Sequence, residues 1–397
     1  GLTALTSAAH LAGVHTLELP ATRLAQGGID LLARSALALR RLQIERAGLV
    51  GEAVAPLTHA AFANALQQLR IHHNRLGDGG ARLVAAGFPA LELLDLDSTE
   101  LRASGARAVL SSPALARLTS LDVSRNSLGA ELVPALDALA LPALRHLACV
   151  QNAVVPAIAE AFAGAPLPEL RSLDLSDNAL ADDGLVALAR TTGLPKLEML
   201  RIKNTGVGSR GLAALGASPL GARLRAIDLA RNEIDDPGVA ALLANDLRAL
   251  DALDLAGSAL TARGVRTLVE SPLAARLKHL TITGLGAGAL DVLFAAHLPE
   301  LRSLVADCFD DDAARLLARA RGLPALHSIV FTARALTDAG ARALAGAPGL
   351  THVLWLELDA LAVSDAGRAQ LRGRFAHHVA VYAGGSLQAF GALARRV

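Results

Sequence analysis

Apolar residues recur along this chain in a short fixed phrase, not in continuous runs. In LRSLDLSDNAL, Leu170 opens the phrase and Leu173 and Leu175 follow at positions three and five. Asn178 stands at position eight and Leu180 at ten. The phrase opens again at Val14, Leu39, Leu66, Leu91, Leu118, Leu144, Leu197, Leu224, Leu250, Leu277, Leu301, Leu326, Leu350 and Ala376, at intervals of 24 to 27 residues. Alternation of apolar and polar residues predicts a short strand with one buried face. Repetition at this period predicts a solenoid. A unit this small cannot hide its own apolar face and must stack on copies of itself.

Polar residues punctuate each unit. Asn74, Asn126, Asn152, Asn178 and Asn232 hold position eight, and Thr22, Thr99, Thr205 and Ser258 replace Asn elsewhere. A short polar side chain there can bond the backbone where the strand bends away. Gly recurs at position fourteen, as in Gly80, Gly105, Gly184, Gly238, Gly264 and Gly340. Two residues before it stand helix-capping candidates: Asp78, Asp182, Ser209, Asp236 and Asp338. Gly is a poor helix former, so its recurrence points to close packing of the helix start on a neighbouring turn. Each unit therefore reads strand, bend, helix, return loop. The expected fold class is α/β, a curved solenoid or horseshoe with parallel strands on the concave face and helices on the convex face. At a strand spacing of about 4.8 Å, the whole set would line an inner arc of roughly 70 Å.

The LxxLxLxxN core with a helical second half resembles leucine-rich repeat proteins of the ribonuclease-inhibitor-like class, over nearly all of Val14 to Gly373. SSPALARLTSLDVSRNSL resembles bacterial leucine-rich repeats from high-GC genomes, and GARALA resembles the GALA-type repeats of plant-pathogen effectors. The resemblance implies a non-catalytic scaffold that binds protein on its concave face. The alternative it implies is the repeat region of a bacterial effector or regulatory protein that selects a target for another domain. Ribonuclease inhibitors are cysteine-rich with longer alternating repeats. This chain has two Cys and shorter units, so no contact with ribonuclease is carried over.

The period divides the chain into residues 1–13, read as the helix of a preceding repeat or a cap, residues 14–373 as repeats, and residues 374–397 as a degenerate last repeat with a C-terminal cap. Late in the chain the pattern changes. Leu285, Phe309 and Arg334 stand where Asn is expected, and Asp291 and Arg315 replace Gly. Turns from about Gly284 to Asp312 are expected to close differently and to exchange their amides faster.

Strand positions two, four and six point away from the buried positions. The early part of this face carries Asp95, Asp97, Asp122, Asp174, Asp228 and Asp254, with Arg201 and Lys203 among them and Arg125, Asp177 and Arg231 at its rim. These are the candidate partner-binding residues. An acidic strip of this kind could steer a basic partner. Its bland counterpart is a solvated face whose aspartates pair with rim arginines, Asp122 with Arg125 and Asp228 with Arg231. Later the position-four column turns apolar at Thr281, Val305, Val330 and Leu354. An apolar patch there would anchor a partner or lie under the C-terminal tail.

Composition narrows the classes further. Lys plus Arg number 38 against 37 for Asp plus Glu, which gives no general attraction to nucleic acid or membrane. Cys149 and Cys308 fall six units apart, too far for a disulfide within a solenoid. Among metal candidates, the adjacent His72 and His73 find only Asp97 nearby, and DCFDDD at residues 307–312 lacks the glycine and final glutamate of a calcium loop. No phosphate loop, dinucleotide fingerprint or nucleophile elbow occurs. The sequence thus reads as a monomeric, cytoplasmic scaffold for a protein or peptide, without cofactor or metal, or as a secreted effector.

Overall fold

A computed structural model describes Thr3 and residues 13–24, 26–153, 156–375 and 378–382. The first 12 residues other than Thr3, and the tail from residue 383, both assigned to caps above, lie outside the described residues. Contacts divide the chain into two compact units, Gly1–Thr205 and Gly206–Val397.

In the first unit, eight parallel strands follow one another in chain order: β1 (Thr16–Pro20), β2 (Arg41–Glu45), β3 (Gln68–Arg70), β4 (Leu93–Asp95), β5 (Ser120–Asp122), β6 (His146–Ala148), β7 (Ser172–Asp174) and β8 (Met199–Arg201). Position three pairs with position three throughout, as Leu94 with Leu121 and Leu147 with Leu173. Leu173, Leu175, Leu185 and Leu188 are wholly buried, so strand and helix halves of a repeat share one interior. The second unit repeats the plan with β9 (Ala226–Asp228), β10 (Ala252–Leu255), β11 (His279–Ile282), β12 (Ser303–Ala306), β13 (Ser328–Thr332), β14 (Trp355–Asp359) and β15 (His378–Tyr382).

One opening position shifts. Leu356 of β14 pairs with Ile329, so this repeat opens at Val353, not at Leu350. Pro348–Leu350 forms a 3₁₀ turn that takes Leu350 into the return loop. Both residues are buried, at 4% and 5% exposure, which is why the hydrophobic pattern alone does not separate them. Position four of β14 is consequently Glu357, and Leu354 lies exposed ahead of the strand.

In the first unit each turn after a strand contains a residue with left-handed backbone at position seven. These are Ala21, Arg46, His73, Ser98, Arg125, Gln151, Asp177 and Asn204, with φ of 49–56°. A non-glycine residue there costs about 1–2 kcal/mol. The Asn row offsets that cost. Asn126 Oδ1 accepts the backbone N–H groups of Thr99 and Leu101 at 2.9 Å, and its Nδ2 donates to the carbonyls of Leu96, Val123 and Ser124. Asn126 N–H in turn donates to Asn152 Oδ1, and Asn152 N–H to Asn178 Oδ1. Buried turn backbone thereby finds partners one repeat away.

The capping residues differ from the sequence expectation by one place. Asp78, Asp236 and Asp338 sit in the first turns of their helices, and their carboxylates serve the next repeat. Asp236 Oδ1 accepts Thr261 N–H at 2.9 Å and Oδ2 accepts its hydroxyl at 2.6 Å. Thr261 then caps its own helix, Ala262–Glu270. Asp338 and Ser364 repeat this relay, and Asp78 receives Arg102 N–H and the Ser104 hydroxyl. Here glycine is required. A Cβ on Gly105 would meet Asp78 Oδ1 and Leu101 Cδ1 at 2.5 Å.

The late turns do close differently. Asp307 Oδ2 accepts Gly284 N–H at 2.7 Å, and Phe309 fills the Asn place with an aromatic ring. That ring stacks on Phe331 at 4.2 Å and meets Phe294 edge-on at 6.1 Å.

Candidate functional site

Local turns hold the outward strand positions. Asp95, Asp122 and Asp174 in the first unit each accept, through Oδ1, the backbone N–H two residues on, at 2.8–3.0 Å. Asp228 and Asp254 do the same in the second unit, at 3.0 and 2.8 Å. The position-four aspartate therefore ends its strand with an Asx turn. This local task explains why Asp recurs in the LDL phrase. It also fixes the carboxylate.

Charge partners on the first unit's face run between neighbouring strands. Arg125 Nε donates to Asp97 Oδ1 at 2.8 Å, and its Nη2 bonds the other oxygen. The expected Asp122–Arg125 pairing is thus replaced by one a repeat earlier, since the left-handed turn at Arg125 aims its side chain back. Arg201 reaches Asp174 at 4.0 Å. Asp177 Oδ1 accepts the Asn204 amide at 2.8 Å, and Lys203 takes its backbone bond from N–H to Ser176 Oγ at 3.3 Å. His72 lies between Glu45 Oε2 at 3.5 Å and Asp95 Oδ2 at 3.1 Å. Its carboxylate neighbours are therefore Glu45 and Asp95, not Asp97. Among the described residues no group of three His, Cys, Asp or Glu side chains is placed to hold a metal ion.

Electrostatics single out Asp122. Burial pushes its carboxyl up to about 6, the Ser124 bonds oppose this, and the charges of Asp95 and Asp97 add to it. Burial also raises Asp95, against the opposing pull of the Asp97 N–H and His72. Asp122 has no ion pair of its own among the described residues. Because the folded value lies above the ordinary one of about 3.9, folding takes up a proton between these limits, and stability falls as pH rises through that window. Asp122→Asn keeps the turn acceptor and removes the charge. It should stabilise the protein by up to about 3 kcal/mol at pH 7 and by nothing near pH 3, at about 1.4 kcal/mol per tenfold in proton affinity. Urea unfolding of both proteins across this range tests the sign. A gain that grows toward acid would contradict it.

The second unit's face is more closed. Asp228 and Asp254 are 8% and 3% exposed, while Arg231 at the rim is open with φ of 58°. Thr281, Val305 and Val330 are only 5–7% exposed, so the apolar column forms no open patch. Trp355 and Leu354 are the open apolar side chains beside it. Cys149 is buried, which holds its thiol protonated, and Cys308 is exposed; both are free thiols.

Sequence reasoning names position two as outward but draws no candidate from it. In the structure it places His146 of β6 between Ser120 of β5 and Ser172 of β7. Neighbouring arginines around a lone strand histidine were the available signal.

A family model described as Leucine Rich repeat matches residues 168–189 and 224–243. No curated protein matches the chain in sequence. Among solved structures, the chain is similar to one in the Rad7 and Elc1 complex from yeast, with a TM-score of 0.52 and 17% identity over 79% of this chain and 82% of that one. It is also similar to an internalin from Listeria monocytogenes, with a TM-score of 0.44 and 16% identity over 98% of this chain and 94% of the other. No described helix is long and apolar enough to cross a membrane. The stacked LxxLxLxxN strands, the buried asparagine row that ties their turns together and the matched repeat segments make this chain a leucine-rich repeat protein.

Proposed function

We propose that the chain is a non-catalytic scaffold that captures a protein or peptide on the strand face. Leucine-rich repeat proteins are generally protein-interaction scaffolds, and the similar yeast chain was solved in a complex. The observation that carries the reading is preorganisation. Asp122 on β5, Asp174 on β7 and Arg201 on β8 stand half-open, and the aspartates are locked by their own turns. Little side-chain freedom is left to lose on association. Rim residues add to this. Arg125, Asp177 and Arg231 tolerate left-handed backbone where glycine would be free of strain, as Gly257 shows one repeat after Arg231. Asp95 and Lys203 extend the first unit's surface, Asp97 lies buried beneath it against Arg125, and Asp228 and Asp254 supply charge beneath the second unit's.

The test uses Asp122→Asn with Asp174→Asn, which keeps both turn acceptors. A photo-crosslinking residue at Ser120 should capture the same partner as the intact chain, while one at Arg107 on the helix layer should not. The double variant should weaken capture at least ~10-fold and flatten its salt dependence. Equal capture by the variant, or crosslinks from Arg107 instead, would reject the strand face as the site.

A further inference from the structure

Position two of the first unit carries a second kind of chemistry. Ser120, His146 and Ser172 stand side by side in register on β5, β6 and β7. One residue earlier, Arg171 N–H donates to the Arg145 carbonyl at 2.8 Å, so these two arginines lie side by side just ahead of adjacent strands. His146 and Arg145 are exposed. Partial desolvation of its ring holds the His146 imidazole below the ordinary histidine range although the residue is open at the surface, and the positive fields of Arg145, Arg201 and Arg171 lower it further. The charges of Arg145, Arg201 and Arg171 thus all act on one imidazole. Arg171 is bonded to Glu198 at 2.6 Å and Arg201 reaches Asp174 only at 4.0 Å, while Arg145 has no ion pair among the described residues. The Ser120 and Ser172 hydroxyls have no hydrogen-bond partner among the described residues.

Arg145, a cationic donor without an ion pair among the described residues, stands beside the in-register Ser120, His146 and Ser172 on a rigid sheet, an arrangement that suits an oxyanion. Guanidinium N–H groups bind carboxylate and phosphoryl oxygens through charge-assisted bonds. We propose that Arg145, His146 and Arg171, with Ser120 and Ser172 beside them, form a subsite for an oxyanion carried by the partner polypeptide, either a carboxylate or a phosphoryl group. The subsite rests on the strand-face reading and deepens it. The partner segment then bears an anionic group over β6, one strand from the acidic ground around Asp122.

The full chain is titrated with a short phosphoserine peptide, its glutamate counterpart and its unmodified serine form, with sodium chloride as the ionic-strength control. The His146 Cε1–H resonance is followed by NMR. Saturable movement of this resonance and an upward displacement of its titration are expected with the two anionic peptides and not with the serine form or salt. Tighter binding of the phosphoserine peptide assigns a phosphoryl group, and equal binding of the two assigns oxyanion charge alone. Arg145→Gln should weaken the response ~10-fold, the worth of one charge-assisted bond. An unmoved His146 resonance, or an identical response in Arg145→Gln, would overturn the subsite. If His146 fails to respond while Asp122→Asn with Asp174→Asn still abolishes capture, only the subsite falls. If His146 responds while that double variant captures normally, the acidic part of the strand-face reading falls instead.

Discussion

Asn126→Ala is expected to cost about 3–5 kcal/mol, more than a typical buried polar substitution, because one side chain serves five backbone groups. Thr99 N–H and Leu101 N–H lose their acceptor inside the turn, and each buried amide left without a partner costs about 1–3 kcal/mol. Leu96 and Ser124 lose a donor. Val123 is protected in part, since Asn152 Nδ2 also donates to its carbonyl at 2.9 Å. The damage should be local to the turn before it spreads, so hydrogen exchange at Thr99 and Leu101 should accelerate while Asn152 and its neighbours keep their protection. Asn126→Asp separates the two functions of the side chain. It retains the acceptor, discards the donors and buries a charge, so it should be as damaging at neutral pH and partly relieved in acid. A loss below about 1 kcal/mol in Asn126→Ala would show that water replaces the amide, and the asparagine row would then be ornament to the turn.

The period made the architecture legible. Strand register follows from Leu at positions three and five because a one-residue slip would turn every buried side chain outward. The Asn row was legible for the same reason, as only a short amide matches donors and acceptors on two turns at once. Other features were not. Leu350 and Val353 both fit the opening position, and only the 3₁₀ turn at Pro348 decides between them. Asp78, two places before Gly80, serves the start of the next helix instead of its own, a distinction of one residue that composition does not resolve. Ion-pair partners were also hidden. Arg125 can reach an aspartate on its own strand or on the strand before, and the left-handed backbone of the turn makes the choice. The candidate face was legible as a column of charges, but its openness was not. Asp122 is half-open and Asp254 nearly closed, although both occupy position four of an equivalent repeat.

Phe309→Ala is the second large expected loss, at about 3–5 kcal/mol. Phe309 takes the place of asparagine in its repeat and is 1% exposed. Its ring lies 4.2 Å from Phe331 at an interplanar angle of 23°, and 6.1 Å from Phe294 at 82°. An offset stack and an edge contact each add to area burial by about 0.5–1.5 kcal/mol. The polar work of the missing amide passes to Asp307, whose carboxylate binds Gly284 N–H. Aromatic packing and a carboxylate cap together replace the asparagine, and the two can be separated. Phe309→Leu keeps most of the volume and should lose only about 1–2 kcal/mol. Phe309→Asn should behave like the alanine variant despite restoring the repeat consensus, because Leu285 stands at position eight of the preceding repeat and Phe331 loses its stacking surface. Urea unfolding followed by a second-unit probe, the single Trp355, measures each variant. If Phe309→Asn proves as stable as the parent, the cluster is not what closes these turns, and consensus alone would suffice.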